Sequence, residues 1–429
     1  MAEQDRVFAK CAWRLIPFMT LLYLVNFIDQ VNVGFAALTM NDDLHFSGTV
    51  FGFGAGVFFL GYMLMQIPAS IVIERLGVRR CIFSILASWG LISAACSLVQ
   101  GPTSFYALRF CLGLAEAGFF PGMIYYLTLW FPQAYRSRYM AMFVSANALA
   151  FVIGAPLSSL ILRLDGVSGF HGWQWLFLLE GMPAFLCSFA ALALLPDGPA
   201  RASWLTRAEK ETIAARLAQE DAGGRRAAWE ALLDPRVIIA GAVVIAISSS
   251  IYGIRLWLPQ MVQAMGFSNV ENGFIVAVIF GFAMLTMILW GRSSDIRRER
   301  YFHVALPMFV AAAGFVGAAL ATNPLFVLAA LFVVVASVSA AMGVYWSIPA
   351  SFLRGPAGAT SVAFANCNSS LGGFLGPWII GVLKDRSGSY ASSMTAFAFG
   401  LVIGGCIMLA INRALAPRVA TAQAKPSAG

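Results

Sequence analysis

Charge is what this chain has least of. Of its 429 residues only 11% are Asp, Glu, Lys or Arg and three are His, while 60% are hydrophobic and the mean hydropathy is +0.79. Length alone would suggest about two or three soluble domains, and that balance excludes them. The seven cysteines, Cys11, Cys81, Cys96, Cys111, Cys187, Cys367 and Cys406, form no CxxC pair and read as small reduced thiols in apolar segments rather than metal or redox sites. HExxH, GxSxG and paired histidines are missing, which removes the usual grounds for a membrane-embedded enzyme. His45, His171 and His303 fall at segment ends, so a histidine relay through a membrane is not expected. Nothing implies a metal or an organic cofactor.

What the chain has in abundance is long apolar runs. Twelve recur, at about 14–38, 49–73, 81–99, 104–130, 139–162, 173–195, 236–263, 271–290, 303–321, 324–349, 358–382 and 390–413, each near the roughly 20 residues needed to cross a bilayer. The first is too long for a signal peptide and no small-residue cleavage site follows it, so it reads as helix one of the mature protein. The net charge of +8 sits on one side. Arg6, Lys10, Arg14, Arg75, Arg79, Arg80, Arg136, Arg138, the loop 196–236, Arg292, Arg297, Arg298, Arg300 and Arg354 lie on the side of the two termini, against Arg163, Lys384 and Arg386 on the other. The positive-inside rule then places both termini in the cytoplasm and accounts for the basic balance without a nucleic-acid partner.

The longest polar interruption, from Pro196 to about residue 235, divides the helices six and six. Expected domains are therefore an N-terminal bundle (1–195), a cytoplasmic linker (196–235), a C-terminal bundle (236–413) and a cytoplasmic tail (414–429). Thr206 with Glu209 forms a capping box ahead of Ile213 and Leu217, which predicts a short amphipathic helix in the linker. The halves repeat at a constant offset of 221 residues: Glu74 returns as Asp295, Asn147 as Asn368, Pro156 as Pro377. The fold class is an all-α polytopic membrane protein, twelve transmembrane helices in two six-helix pseudo-symmetric bundles.

The loop after helix two, Glu74-Arg75-x-Gly77-x-Arg79-Arg80, with its copy after helix eight, resembles the signature of the major facilitator superfamily. Four longer stretches resemble its anion:cation symporter family: NVGFAALTMNDDL after helix one, RFCLGLAEAGFFPGMIYYLTLWFP from Arg109, GWQWLFLLEGMPA from Gly172 and GGFLGPWIIG from Gly372. The resemblance spans the whole chain. It implies a transporter rather than an enzyme, working as a monomer in a cell inner (plasma) membrane, with a cavity lined by helices one, four and seven. The coupling ion it implies is the proton and the substrate a small organic anion: a sugar acid, a dicarboxylate such as tartrate, or an aromatic carboxylate.

An ionisable side chain at the bilayer centre is costly by any scale and needs a partner, a wet cavity or a job. Asp29, Arg109, Glu116 and Arg255 are in that position. Arg109 and Glu116 are seven residues apart, two turns, so they share a helix face. Burial and a neighbouring guanidinium pull the proton affinity of a carboxyl in opposite directions, so an arriving anion could switch Glu116. A static salt bridge is the structural alternative for Arg109 and Glu116, and permanent pairing with an arginine or with Asn26 or Asn32 is the alternative for Asp29. The resemblance implies proton coupling for Asp29 and Glu116.

Many relatives carry arginine after that aspartate, as a substrate clamp, and this chain has Gln30. A neutral amide brings no charge, so Arg255 is the candidate replacement, with snorkelling to the surface as its alternative. Arg109, Gln30, Tyr23, Tyr252, Asn147, Asn366 and Asn368 are further substrate-side candidates, with packing as the alternative for the aromatics and interhelical hydrogen bonding for the asparagines. Glu180 reads as a structural acid near a helix break at Pro183. Glu74, Arg75 and Asp295 are read as gating ion-pair residues. The leading expectation is proton-coupled uptake of a small organic anion by alternating access. The alternatives are an uncoupled facilitator or exporter and, more remotely, a non-transporting membrane sensor.

Overall fold

A computed structural model describes residues 2–144, 146–218, 234–349 and 356–423. Among these the regular structure is helical throughout: α1 (Ala2–Asp43), α2 (Gly48–Leu76), α3 (Val78–Ala95), α4 (Pro102–Glu116), α5 (Phe119–Trp130), α6 (Gln133–Val144), α7 (Ala146–Ile161), α8 (Gly172–Leu194), α9 (Arg207–Ala218), α10 (Pro235–Ala264), α11 (Asn269–Arg297), α12 (Tyr301–Leu320), α13 (Pro324–Tyr345), α14 (Pro356–Ser387) and α15 (Ala391–Gln423), joined by turns and short 3₁₀ segments. Eleven spans among the described residues are long and apolar enough to cross a membrane, α4 with α5 and α6 with α7 each forming one. The twelfth is α14, 32 residues long and made more polar by Asn366, Asn368, Ser369 and Ser370. The twelve-helix all-α architecture expected from the apolar runs is what the chain adopts.

Local chemistry sets the ends. Ser47 Oγ accepts from Val50 N at 3.2 Å to start α2, and Gly77, at φ +90°, stops it and opens α3. Asp197, from the segment after α8, sits on that turn and accepts from Arg79 N at 3.1 Å, so the linker caps α3. Ser268 and Glu271 form a reciprocal cap on α11. Between α4 and α5 the chain makes a turn at Ala117 and Gly118. Pro121 has no N–H to give the Ala117 carbonyl, so the ladder is interrupted one residue after Glu116.

The chain divides into two compact units, Met1–Gly223 with Leu256–Val278, and Gly224–Arg255 with Ile279–Gly429. In the first, lipid offers no hydrophobic drive for helix association, so close backbone packing at small residues takes its place. A Cβ on Gly61 would lie 2.3 Å from Phe110 O and one on Gly113 2.0 Å from Phe58 O, which locks α2 to α4. Gly113→Val is therefore expected to destabilise the protein by about 3 kcal/mol or more through overpacking, measured as a lower melting temperature in detergent and loss of monodisperse yield. The first unit also takes in the second half of α10. A Cβ on Gly34 would lie 2.9 Å from Leu256 O, Phe51 meets Trp257 edge-on at 5.0 Å, and Asn41 Nδ2 donates to Gln260 Oε1 at 3.1 Å.

The described part of the linker belongs to the same core. Ala202 and Ile213 are fully buried, Trp204 stacks on Trp130 at 5.5 Å, and Arg14 lies over Trp204. Thr206 and Glu209 make the reciprocal cap of α9. Glu209 also pairs with Lys10 Nζ at 2.8 Å, and the Lys10 bond, then the Thr206 N–H, holds its carboxyl below the usual range. In the second unit Tyr345 Oη donates to Ala240 O, and α10 meets α14 so closely that a Cβ on Gly376 would lie 2.2 Å from Ser249 O.

Candidate functional site

The polar residues of NFIDQVN sort onto two faces of α1. At about 100° per residue Asn26 and Gln30 lie within roughly 40° of each other, Asp29 and Asn32 within roughly 60°, and the two pairs point about 110° apart. Each pair meets a different helix.

Asp29 is fully buried, towards α3. Its Oδ2 accepts from Trp89 Nε1 at 2.8 Å, and its Oδ1 accepts from Asn32 Nδ2 at 3.0 Å and from Ser93 Oγ. Trp89 and Ser93 are four residues apart on α3 and so project from one face. Three neutral donors offset part of the cost of an ionised carboxylate in the bundle interior.

Glu116, the last residue of α4, is 1% exposed and faces the other pair. Its Oε2 accepts from Asn26 Nδ2 at 2.8 Å and Gln30 Nε2 at 3.0 Å, while its buried Oε1 has no hydrogen-bond partner. Gln30 also donates to Asn26 Oδ1 at 3.3 Å. Both acids are thus held by side chains that carry no charge. A carboxyl held by amides can gain and lose a proton without breaking an ion pair.

Arg109, two turns earlier on α4, is 1% exposed, with its guanidinium carbon 5.0 Å from the centre of the Phe58 ring. Its Nε and Nη1 are buried and make no hydrogen bond. Asp29 and Glu116 are the acids close enough to act on it, yet neither forms a salt bridge with it. Buried guanidinium donors without an acceptor are expensive, and a carboxylate is the ligand their planar fork suits.

Arg255 belongs to the second unit, 8% exposed on α10, with its guanidinium carbon 5.8 Å from the Tyr252 ring centre. The remaining candidates fall differently. Tyr23 is packed among aromatics, 4.5 Å from Phe143 and 4.8 Å from Phe27 by ring centres. Asn368 Nδ2 donates to Phe364 O at 2.9 Å within its own helix, and the Asn366 carbonyl accepts from Ser370 Oγ. The Asn147 side chain lies outside the described residues. Glu74 and Arg75 are exposed at the end of α2, and Asp295 pairs with Arg300 at 2.6 Å. Trp89 and Ser93, which complete the Asp29 site, were not among the sequence candidates. Their four-residue spacing in an apolar helix was the available signal.

Membrane-crossing helices, with two buried acids and a buried guanidinium among those of the first unit, mark a multi-pass transporter rather than an enzyme. The chain belongs to the Major Facilitator Superfamily, whose profile matches residues 19–377. Among curated proteins it is 42% identical, over 97% of its length and 94% of the relative's, to a "Putative tartrate transporter" of Agrobacterium vitis. It is 36% identical, over 96% of each chain, to a "Quinolone resistance transporter" of Acinetobacter baumannii. Among solved structures, a bacterial homologue of the human lysosomal transporter Spinster, in an inward-facing and unoccupied conformation, matches with a TM-score of 0.79 at 18% identity, covering 94% of this chain and 97% of that one. A D-xylose-proton symporter matches with a TM-score of 0.74 at 16% identity, covering 92% and 97%.

Proposed function

We propose that this protein imports a small organic anion together with one or more protons across a bacterial inner membrane. It works as a monomer with both termini in the cytoplasm. The observation that carries the reading is the pair of buried carboxyls, Asp29 and Glu116, each held only by neutral donors, beside an arginine whose buried N–H groups lack an acceptor. A substrate carboxylate entering such a region changes the field on the acids, so anion binding and proton binding are linked. The name of the Agrobacterium vitis relative favours a tartrate-like dicarboxylate within the wider class of sugar acids and aromatic acids. Arg109 in the first unit and Arg255 in the second are the anchors this reading assigns, with Tyr252, Asn147, Asn366 and Asn368 as further contacts. Glu74, Arg75 and Asp295 serve the gate of an alternating-access cycle. The cycle needs no metal or organic cofactor.

The test is proton flux in proteoliposomes with a pH dye. Addition of tartrate, galactonate, glucarate, phthalate or hydroxyphenylacetate outside is expected to alkalinise the medium for at least one acid, and Asp29→Asn is expected to abolish the signal. Binding of an acid without proton movement would sink the coupling. The relative named for quinolone resistance supports export as a second reading. In that case proton movement would run opposite to solute.

A further inference from the structure

Gln30 is the polar residue of NFIDQVN that the transport reading above leaves without a task. It is half-buried on α1, one turn after Asn26. Its Nε2 donates to Glu116 Oε2 at 3.0 Å and to Asn26 Oδ1 at 3.3 Å, and Asn26 Nδ2 donates to the same glutamate oxygen at 2.8 Å. The three side chains close a ring in which α1 supplies every donor and α4 the acceptor. Asn26 is 4% exposed and Glu116 1%. Gln30 also gives the ring its direction. By donating to Asn26 Oδ1 it turns the Asn26 NH₂ group, rather than its carbonyl, towards the carboxyl.

The two oxygens of Glu116 are therefore unequal. Oε2 accepts two amide N–H groups, whereas Oε1 is buried and has no hydrogen-bond partner. The ionisable groups that act on this carboxyl are Asp29 of α1 and Arg109 of α4, and among the described residues neither forms a salt bridge with it. A carboxylic acid carries its proton on one oxygen and keeps the other as a carbonyl acceptor. A proton placed on Oε2 would displace an amide and leave a buried N–H unpaired, which is costly. Oε1 has no donor to displace.

We propose that Gln30 is a positioning residue for Glu116 rather than a substrate contact: with Asn26 it fixes Oε2 as the carbonyl oxygen and leaves Oε1 as the atom that takes up the proton. The carboxylate carries a charge of −1, one proton arriving at Oε1 makes it neutral, and the same proton leaves from that oxygen. Both amide bonds to Oε2 persist through the exchange, so α1 and α4 stay joined in either state. The link to transport rests on the proton-coupled reading above, whereas the placement of the proton does not.

The experiment is infrared difference spectroscopy across pH on the purified full-length protein, in wild type, Gln30→Met and Glu116→Gln. The protonated-carboxyl band that disappears in Glu116→Gln belongs to Glu116. Hydrogen bonds to a carbonyl oxygen lower its stretching frequency, and methionine keeps the length of glutamine without its donors. The expected result is that the Glu116 band of Gln30→Met lies at higher frequency than in the wild type. With tartrate as the solute, Gln30→Met should also lower proton-driven accumulation more than it lowers binding. A substrate contact would instead lose binding by about tenfold or more, the worth of one hydrogen bond to a charged group. If Gln30→Met fails to fold, Asn26→Leu removes the other N–H and should raise the same band. An unmoved Glu116 band in the folded variant overturns the proposal, and so does a wild type with no Glu116 band at any pH. The infrared measurement needs no solute. Absence of solute-driven proton flux in the wild type would therefore count against symport alone, and the role of Gln30 would still stand or fall on the band.

Discussion

Arg255→Ala is expected to abolish uptake at every pH, and Arg255→Lys to restore only a fraction of it. The guanidinium is nearly buried over Tyr252, where a substrate carboxylate binding it would be drawn out of water. Removing one partner of a buried, hydrogen-bonded charge pair costs about 2–5 kcal/mol, and every 1.4 kcal/mol is about tenfold, so substrate affinity should fall at least about thirtyfold. Lysine keeps the charge and loses the planar fork, which is why its rescue should be partial. Measured as labelled-solute uptake and as binding to purified protein, the loss should appear in both. Normal binding by Arg255→Ala would show that this arginine only packs against Tyr252.

Glu116→Gln is expected to stop accumulation against a gradient while leaving exchange of internal for external solute intact. Exchange needs only that the loaded protein reorient, and accumulation needs a carboxyl that loads and unloads a proton. The substitution suits the site, since Glu116 Oε2 accepts from Asn26 and Gln30 and a glutamine carbonyl can take the same two bonds. For one proton per solute, a one-unit pH gradient is worth about 1.4 kcal/mol, a roughly tenfold accumulation. That ratio should fall to about one in the variant, with counterflow close to wild type. Full accumulation by Glu116→Gln would remove Glu116 from the coupling role. Loss of both activities would make it a structural residue.

The two acids were legible in the sequence because a charge in the middle of an apolar run stands out by its cost. Their surroundings were not. Gln30 was read from its neighbour Asp29 and from its contrast with relatives, as a group facing substrate. Helix rotation turns it about 100° from Asp29 instead, and it donates to Glu116. Arg109 and Glu116 were correctly placed on one face by their spacing, yet each met a different neighbour. Arg109 lies over Phe58 of α2, and Glu116 reaches α1 at the point where the turn before Pro121 ends α4. Tyr23, an aromatic in a cavity-lining helix, was a reasonable pocket candidate, and its ring is enclosed by Phe27, Phe119, Phe120 and Phe143. Glu180, beside glycine and proline in sequence, reads as a structural acid near a helix break, and its bond to Ser158 depends on how α7 and α8 pack.

Alone, the sequence determined the solvent, the number of spans, the repeat at 221 residues and the identity of the rare charges, because each follows from composition and period along one helix. Only the tertiary structure decided which side chain satisfies which charge, and that half of α10 joins the first unit through Gly34, Phe51 and Asn41. The reason is physical. In lipid every helix can hide its backbone bonds by itself, so the hydrophobic pattern fixes that a helix spans and leaves its rotation and its partners to close packing at glycine and to the few buried hydrogen bonds.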